Sequence, residues 1–255
     1  ADIERQFDVL LFDRVGKRLH LSALGATLRP RAEAVLDEAR ELEAELANQN
    51  GSGRLRVGAT LTIGNYVAVP LLARYMADEP GVAVALDIAN TEEIVRRVVN
   101  FEIDVGLIEG ELAHPELAVT PFQDDELLVF SAPTHPLARK RTLSDADLRS
   151  MAWIVRETGS GTRQTFDRAM AGILPELQIT LELKHIAVIK RAVEAGLGVG
   201  CVSRIALVEE LARGTLKAYR VPQRNFRRQF YYVLHRKKHL SRALRRWLAL
   251  CGGRD

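Results

Sequence analysis

From Arg54 onward, short continuous apolar runs take turns with stretches of helical spacing. Leu55 to Ala59, Val82 to Ile88 and Ile103 to Ile108 read as strands buried on both faces. Thr60 to Gly64 leads into a helix that runs to about Ala77. Asn90-Thr91-Glu92-Glu93 opens a second helix, with Thr91 as its expected cap. Strand, helix, strand, helix, strand implies a parallel, doubly wound sheet. Leu127 to Ser131 is expected to leave this unit as an extended segment, and Ser144 to Asp147 to cap a short helix. The alternation then resumes. Trp153 to Val155 and Ile179 to Leu183 read as strands, and Phe166, Met170 and Ile173 share a helix face between them. A helix from about Ile186 to Ala195, a glycine-punctuated strand ending at Ser203 and a helix from Ile205 to Ala212 complete a second unit. Phe230 to Leu234 would return the chain to the first, and Ser241 to Leu250 reads as a helix. The expected fold class is α/β: two doubly wound subdomains joined by two crossover strands, residues 54–126 with 230–255 and residues 127–229. Such a hinged clamp encloses a cleft.

The first 53 residues follow a different pattern. Ile3 and Phe7 share a helix spacing, and Val9 to Phe12 and Arg18 to Leu21 read as two strands around a turn at Asp13 to Lys17. Arg14, Lys17 and Arg18 put positive charge at the tip of this ribbon, which suits nucleic-acid phosphate and equally suits a solvated hairpin. Ser22 caps a long helix. Leu24, Leu28, Ala32, Val35, Ala39, Leu42 and Leu46 form a narrow seam along it, close to the heptad period, flanked by acids such as Glu33, Asp37 and Glu43. So narrow a stripe favours a second copy as partner over the chain's own body. Asn48 to Gly53 reads as a linker.

Candidate chemistry gathers at the strand ends, where doubly wound sheets bind their ligands. Glu157 to Phe166 is the densest stretch. Gly159 and Gly161 permit a tight turn and a close backbone approach, Ser160 and Thr162 bring hydroxyls, and Arg163 brings a fork of donors. The start of the following helix favours negative charge. The stretch reads either as a cup for a small anion or as an ordinary capped turn. Thr60, Thr62, Asn90, Thr91 and Glu109 lie on the opposite rim. His185, at a strand end, is a further candidate; Val199 and Gly200 would line the back of the cleft.

Composition narrows the function. The chain has 255 residues and a net charge of +3, so the distribution of charge matters more than its sum. Residues 217–246 carry eleven Lys or Arg and no acid, a run that suits DNA, an acidic partner or a solvated face. Two cysteines exclude a disulfide framework and fit a reducing, cytoplasmic setting. No uninterrupted apolar run spans a membrane, and no signal core opens the chain. There is no phosphate-loop pattern, no metal-ligand spacing and no nucleophile elbow. Asp124-Asp125-Glu126 reads as a turn. No cofactor, metal or catalytic set is expected, and an enzyme has no positive support.

Taken in order, the pieces resemble the LysR-type transcriptional regulators. Leu11-Phe12-Asp13-Arg14 and Leu19 to Gly25 look like that family's wing and the start of its linker helix. Leu55 to Pro70, Asn90-Thr91, Asp104 to Gly110, His135 to Ala138, Gly159 to Arg163 and Val193 to Gly200 are similar to its effector domain. The resemblance implies two effector subdomains of periplasmic-binding-protein type, residues 54–126 with 230–255 and 127–229. Before them it implies a dimerising linker helix and linker at 22–50 and a remnant of a winged helix-turn-helix at 1–21. It further implies DNA as a partner, a homodimer through residues 22–48, a homotetramer, and a small effector in the cleft with no membrane association. Asn90-Thr91, Ile108 to Gly110 and Arg156-Glu157 resemble the branch tied to sulfur assimilation, which makes sulfite or sulfate a candidate effector. Only Ala1 to Phe7 precede the wing, so the groove-reading helix is expected to be shortened. The alternative is a solute-binding protein of a transport system with the same clamp, which would have no use for the seam helix or the basic ribbon.

Overall fold

The computed structural model describes residues 2–16, 18–46 and 53–252. The expected linker at 48–52 and the candidate Lys17 lie outside the described residues. The chain begins with α1 (Asp2–Phe7) and a two-stranded antiparallel ribbon, β1 (Phe12–Val15) and β2 (Arg18–Leu21). The expected strand over Val9 to Phe12 is displaced toward the C-terminus. Glu4 accepts from the amides of Leu11 and Phe12, so Val9 to Leu11 form the bend that closes on α1 and the strand begins only at Phe12. Asp13 and Arg14 are therefore strand residues rather than turn residues. Ser22 caps α2 (Ala23–Leu46), its hydroxyl accepting from Gly25 N at 3.0 Å.

Along α2 the apolar seam faces outward: Leu24, Leu28, Val35, Leu42 and Leu46 are all exposed, Val35 at 64%. The opposite side of the helix is pinned to the body. Lys238, 4% exposed, stands between Asp37 of α2 at 2.6 Å and Asp104 at 3.0 Å. Arg29 of α2 donates to the Asn100 carbonyl and lies over the Phe101 ring. Burial pushes the Asp104 carboxyl up, but hydrogen bonds from Arg56 and the charge of Lys238 outweigh it and hold the group below the usual aspartate range.

The body follows as β3 (Gly53–Thr60), α3 (Leu61–Ile63), a π-helical turn over Gly64–Ala68, α4 (Val69–Asp78), β4 (Val82–Ala89), α5 (Thr91–Val99) and β5 (Val105–Glu109). A 15-residue strand, β6 (Leu117–Ser131), then crosses into the second half. That half contains α6 (Asp145–Ser150), β7 (Ala152–Arg156), α7 (Gly161–Ala169), β8 (Gln178–Leu183), α8 (Ile186–Glu194), β9 (Val199–Ser203), α9 (Val208–Arg213) and β10 (Lys217–Tyr219). β11 (Arg227–His235) returns the chain, and α10 (Arg242–Leu250) closes it. The helix expected from Ile205 instead starts as a 3-10 turn over Arg204–Leu207, because Ser203 caps it one residue early, accepting from Ile205 N.

Two lobes share β6. Its first part pairs with β11 beside β5, β3 and β4; its last residues pair with β9 and β10 beside β7 and β8. β3, β4 and β5 are parallel, as are β7, β8 and β9, while β6 and β11 run antiparallel to their neighbours. The sheet is thus mixed where the lobes join. The partner switch falls at Glu126/Leu127, and Leu127 N donates to the Phe226 carbonyl just before β11 begins. Asp124 to Glu126 are strand residues at this crossover, not a turn. Each lobe has its own core. One holds Tyr75 and Trp247 edge-on at 5.6 Å, the other Trp153 and Phe166 at 5.1 Å.

Five cations of the basic run 217–246 meet acids or carbonyls of other elements: Arg224 meets Asp145, Arg228 Asp125, Arg236 the Pro115 carbonyl, Lys238 Asp37 and Asp104, and Arg246 Glu79. Among the described residues no helix is long and apolar enough to cross a membrane.

Candidate functional site

The strand ends of the two lobes meet around one carboxylate. β5 ends at Glu109, and Gly110, at φ +93°, turns the chain away. The Glu109 side chain points inward and is 1% exposed. Thr60, the last residue of β3, donates to Glu109 Oε2 at 2.7 Å, and Thr62 of α3 donates to Oε1 at 3.0 Å. From the other lobe, Thr162 of α7 donates to the same Oε1 at 3.0 Å. Arg228 of β11, also 1% exposed, lies 3.8 Å from Oε1 and donates through Nη1 to the Thr162 hydroxyl at 3.0 Å. Its Nε donates to Asp125 Oδ2 at 2.7 Å. Its Nη2 is buried and has no hydrogen-bond partner among the described residues.

The hydroxyls are free for this because they do not cap. Thr60 precedes α3 but makes no side-chain cap bond, its hydroxyl being committed to Glu109. The expected cap of α5 was Thr91; the cap is Asn90, which accepts from Glu93 N at 3.0 Å. Thr91 instead bridges the lobes. It donates to the Glu109 carbonyl at 3.3 Å and accepts from Gly161 N at 3.1 Å. Ser160 caps α7, accepting from Thr162 N at 3.2 Å. The N-terminus of α7 lies so close that a Cβ at Gly161 would collide with the Glu109 carbonyl oxygen. Glu92 N donates to the Gly159 carbonyl at 3.3 Å beside it. Gly159 takes φ +86°, which only glycine adopts at little cost.

The structure therefore brings Thr60, Thr62, Thr91, Glu109, Gly161 and Thr162 into one network, with Asn90 and Ser160 holding the helices that carry them. Five other expectations change. Arg163 does not reach the network: it pairs with Asp167 at 2.9 Å and Glu182 at 2.7 Å and donates to the Arg156 carbonyl, because its position on α7 faces β7 and β8. His185 is an exposed residue at the start of α8, and its backbone, not its ring, serves the helix. Val199 packs in the core of the second lobe. Gly200 lies against the Phe130 ring, where its missing side chain gives the ring room. Glu157 forms a buried bidentate pair with its neighbour Arg156, at 2.8 and 3.0 Å.

Arg228 was missed within the basic run. The signal was its parity: Arg228, Phe230 and Tyr232 alternate on the buried face of β11. A cation at an inward strand position must be paired or must serve a ligand. Arg228 also lines an open groove of about 430 Å³, with Arg168, Arg227 and Tyr231, outside the network.

A mixed α/β sheet shared by two lobes, a seam helix before it and a polar cluster at the joint define a class seen in known proteins. The LysR substrate binding domain matches residues 48–254. The HTH-type transcriptional regulator YeiE of Escherichia coli K12 is 42% identical over 251 residues, which is 98% of this chain and 85% of that protein. The HTH-type transcriptional regulator CysL of Bacillus subtilis is 31% identical, over 91% of this chain and 78% of that protein. The regulatory domain of CcmR from Synechocystis, solved in complex with 2-PG, superposes with a TM-score of 0.72 at 31% identity, covering 78% of this chain and 95% of that one. The chain belongs to the LysR family of transcriptional regulators, and residues 48–254 are its effector-binding domain. Both of the curated relatives named are HTH-type transcriptional regulators.

Proposed function

We propose that the joint between the lobes senses a small oxyanion and that its occupancy sets the separation of the lobes. The observation that carries this is the treatment of Glu109. A carboxylate is already held there by three hydroxyls from two lobes and faces a guanidinium whose Nη2 is unspent. Of these donors only Arg228 Nη2 lacks an acceptor among the described residues, and a buried donor left so is costly. The effector would take the hydroxyls of Thr60, Thr62 and Thr162 and the guanidinium of Arg228. Sulfite or sulfate has the size and the oxygen count for such a ring of donors, and the resemblance of Asn90-Thr91 and Arg156-Glu157 to the sulfur-assimilation branch favours them. Lobe I would be residues 54–126 with 230–255, and lobe II residues 127–229.

The exposed seam of α2 supports a homodimer through residues 22–48. Arg14, Lys17 and Arg18 would lie near DNA phosphate in the complete regulator, in which a change in lobe closure alters the tilt of the DNA-binding ends. The transporter reading loses ground, since a monomeric clamp has no use for that seam. Isothermal titration of the chain with sulfite, sulfate, thiosulfate, phosphate and 2-PG tests the reading. Binding of one oxyanion, weakened at least tenfold by Thr162→Val, is the expected result; no binding by any of them rejects it.

A further inference from the structure

Arg228 stands between two carboxylates and bonds to only one of them. Its Nε donates to Asp125 Oδ2 at 2.7 Å, whereas Nη1 stays 3.8 Å from Glu109 Oε1, longer than a hydrogen bond. Nη1 donates instead to the Thr162 hydroxyl at 3.0 Å, and the guanidinium carbon lies 5.4 Å from the centroid of the Phe230 ring. A guanidinium and a carboxylate that share a buried space ordinarily close into a bidentate pair, as Arg156 and Glu157 do. Some group must keep Arg228 from closing in this way on Glu109.

Asp125 is placed for that task. It lies directly across from Arg228 in the β6–β11 pairing, just before the partner switch of β6, with its side chain 5% exposed. Its other oxygen, Oδ1, accepts from the Ser203 hydroxyl at 2.6 Å. Ser203 is fully buried at the end of β9, where it pairs with Leu127 of β6. The same hydroxyl accepts from Ile205 N at 3.3 Å, so Ser203 is itself held from two sides. A guanidinium is planar and its N–H directions are fixed relative to one another, so a carboxylate on Nε sets the whole plane. With Nε on Asp125 and Nη1 on Thr162, Arg228 cannot turn that edge to Glu109 without giving up the ion pair it has.

We infer that Asp125, anchored by Ser203, is a positioning residue: it holds Arg228 off Glu109 and so keeps the guanidinium available to an effector. Without that hold, Arg228 and Glu109 close on each other and the empty site occludes itself. Neither Asp125 nor Ser203 touches the effector; both act through Arg228. This rests on the reading of the joint as the effector site, and it adds to that site two residues from the crossover between the lobes.

The test is calorimetric titration of wild type and variants with the same five anions. For whichever of them the wild type binds, Asp125→Asn should lose about tenfold in affinity or more, and Ser203→Ala about threefold. Two further results separate positioning from a merely structural part. In an Arg228→Lys background no Nε remains to be held, so Ser203→Ala should cost no further affinity. Adding Glu109→Gln to Asp125→Asn or to Ser203→Ala removes the competitor for Arg228 and should recover most of the lost affinity. Variants that bind as tightly as the wild type overturn the proposal and leave the sensor reading standing. So does a Ser203→Ala loss that persists in full beside Arg228→Lys, or one that Glu109→Gln does not relieve. Binding of none of the five by the wild type removes the sensor reading and this inference with it. Ser203→Ala deletes a single oxygen atom, so its cycle with Arg228→Lys decides the matter even if Asp125→Asn fails to fold.

Discussion

Glu109 and Glu157 are the same residue type, both buried, one at the end of a first-lobe strand and one just past a second-lobe strand, yet they are held in opposite ways. Glu157 lies against its sequence neighbour Arg156 in a bidentate pair that commits both of its carboxylate oxygens to one guanidinium. Glu109 is held by three hydroxyls from β3, α3 and α7, and its nearest cation stays 3.8 Å away. A fork-to-fork ion pair is rigid and specific to its partner. A hydroxyl rotates and accepts a new partner at small cost. The first arrangement fixes the loop that leads into α7; the second is the one that the proposed effector would exploit.

The sharpest way to break this comparison is to neutralise each acid. Glu157→Gln leaves the Arg156 charge buried without its counterion and should cost about 3 kcal/mol or more, read by urea unfolding. Glu109→Gln keeps an oxygen for the hydroxyls and should cost far less in the same experiment. A similar loss for both would mean that Glu109 is as closed as Glu157. A third buried ion pair sharpens the contrast. Lys238, caught between Asp37 and Asp104, resembles the closed case, so Lys238→Met should cost about 2 kcal/mol and raise hydrogen exchange along α2.

Its partner Asp104 predicts a pH effect. The folded-state pKa is depressed, so its contribution is present above the ordinary value of 3.8 and is lost as pH falls through the lower folded value. Asp104→Asn should cost about 1.5 kcal/mol at neutral pH and flatten the acid limb of the stability curve below about pH 3.8. The smallest effect belongs to Arg163. Its partners Asp167 and Glu182 are half-exposed or exposed, so Arg163→Ala should cost below about 1 kcal/mol and leave anion affinity within twofold. A tenfold loss of affinity would return Arg163 to the site.

The alternation of apolar runs and helical spacing was enough to read both lobes from the sequence, and the position of strand ends was enough to bring Thr60, Thr62, Thr91, Glu109 and Thr162 to one place in the fold. What it could not reveal was direction. Arg163 was read as a ligand fork because it follows Gly-Ser-Gly-Thr, yet Asp167 four residues on already offered an ordinary helical partner. Arg228 was hidden by its neighbours, since a run of cations invites a surface reading and only the two-residue period of β11 separates the inward one. Val199 and Gly200 were assigned to the cleft, although Val199 packs in the second-lobe core and the gap at Gly200 receives the Phe130 ring. The mixed sheet at the joint escaped because antiparallel pairing of β6 and β11 is a long-range event with no local mark.

The pin at Lys238 has a mechanical consequence. It joins the seam helix to Asp104 of the first lobe, and Arg29 does the same through Asn100. The stalk and the first lobe are thereby braced together, like a post with its bracket. Two chains joined along their stalks would hold those brackets fixed at the centre, so any motion that an effector drives would fall to the second lobes.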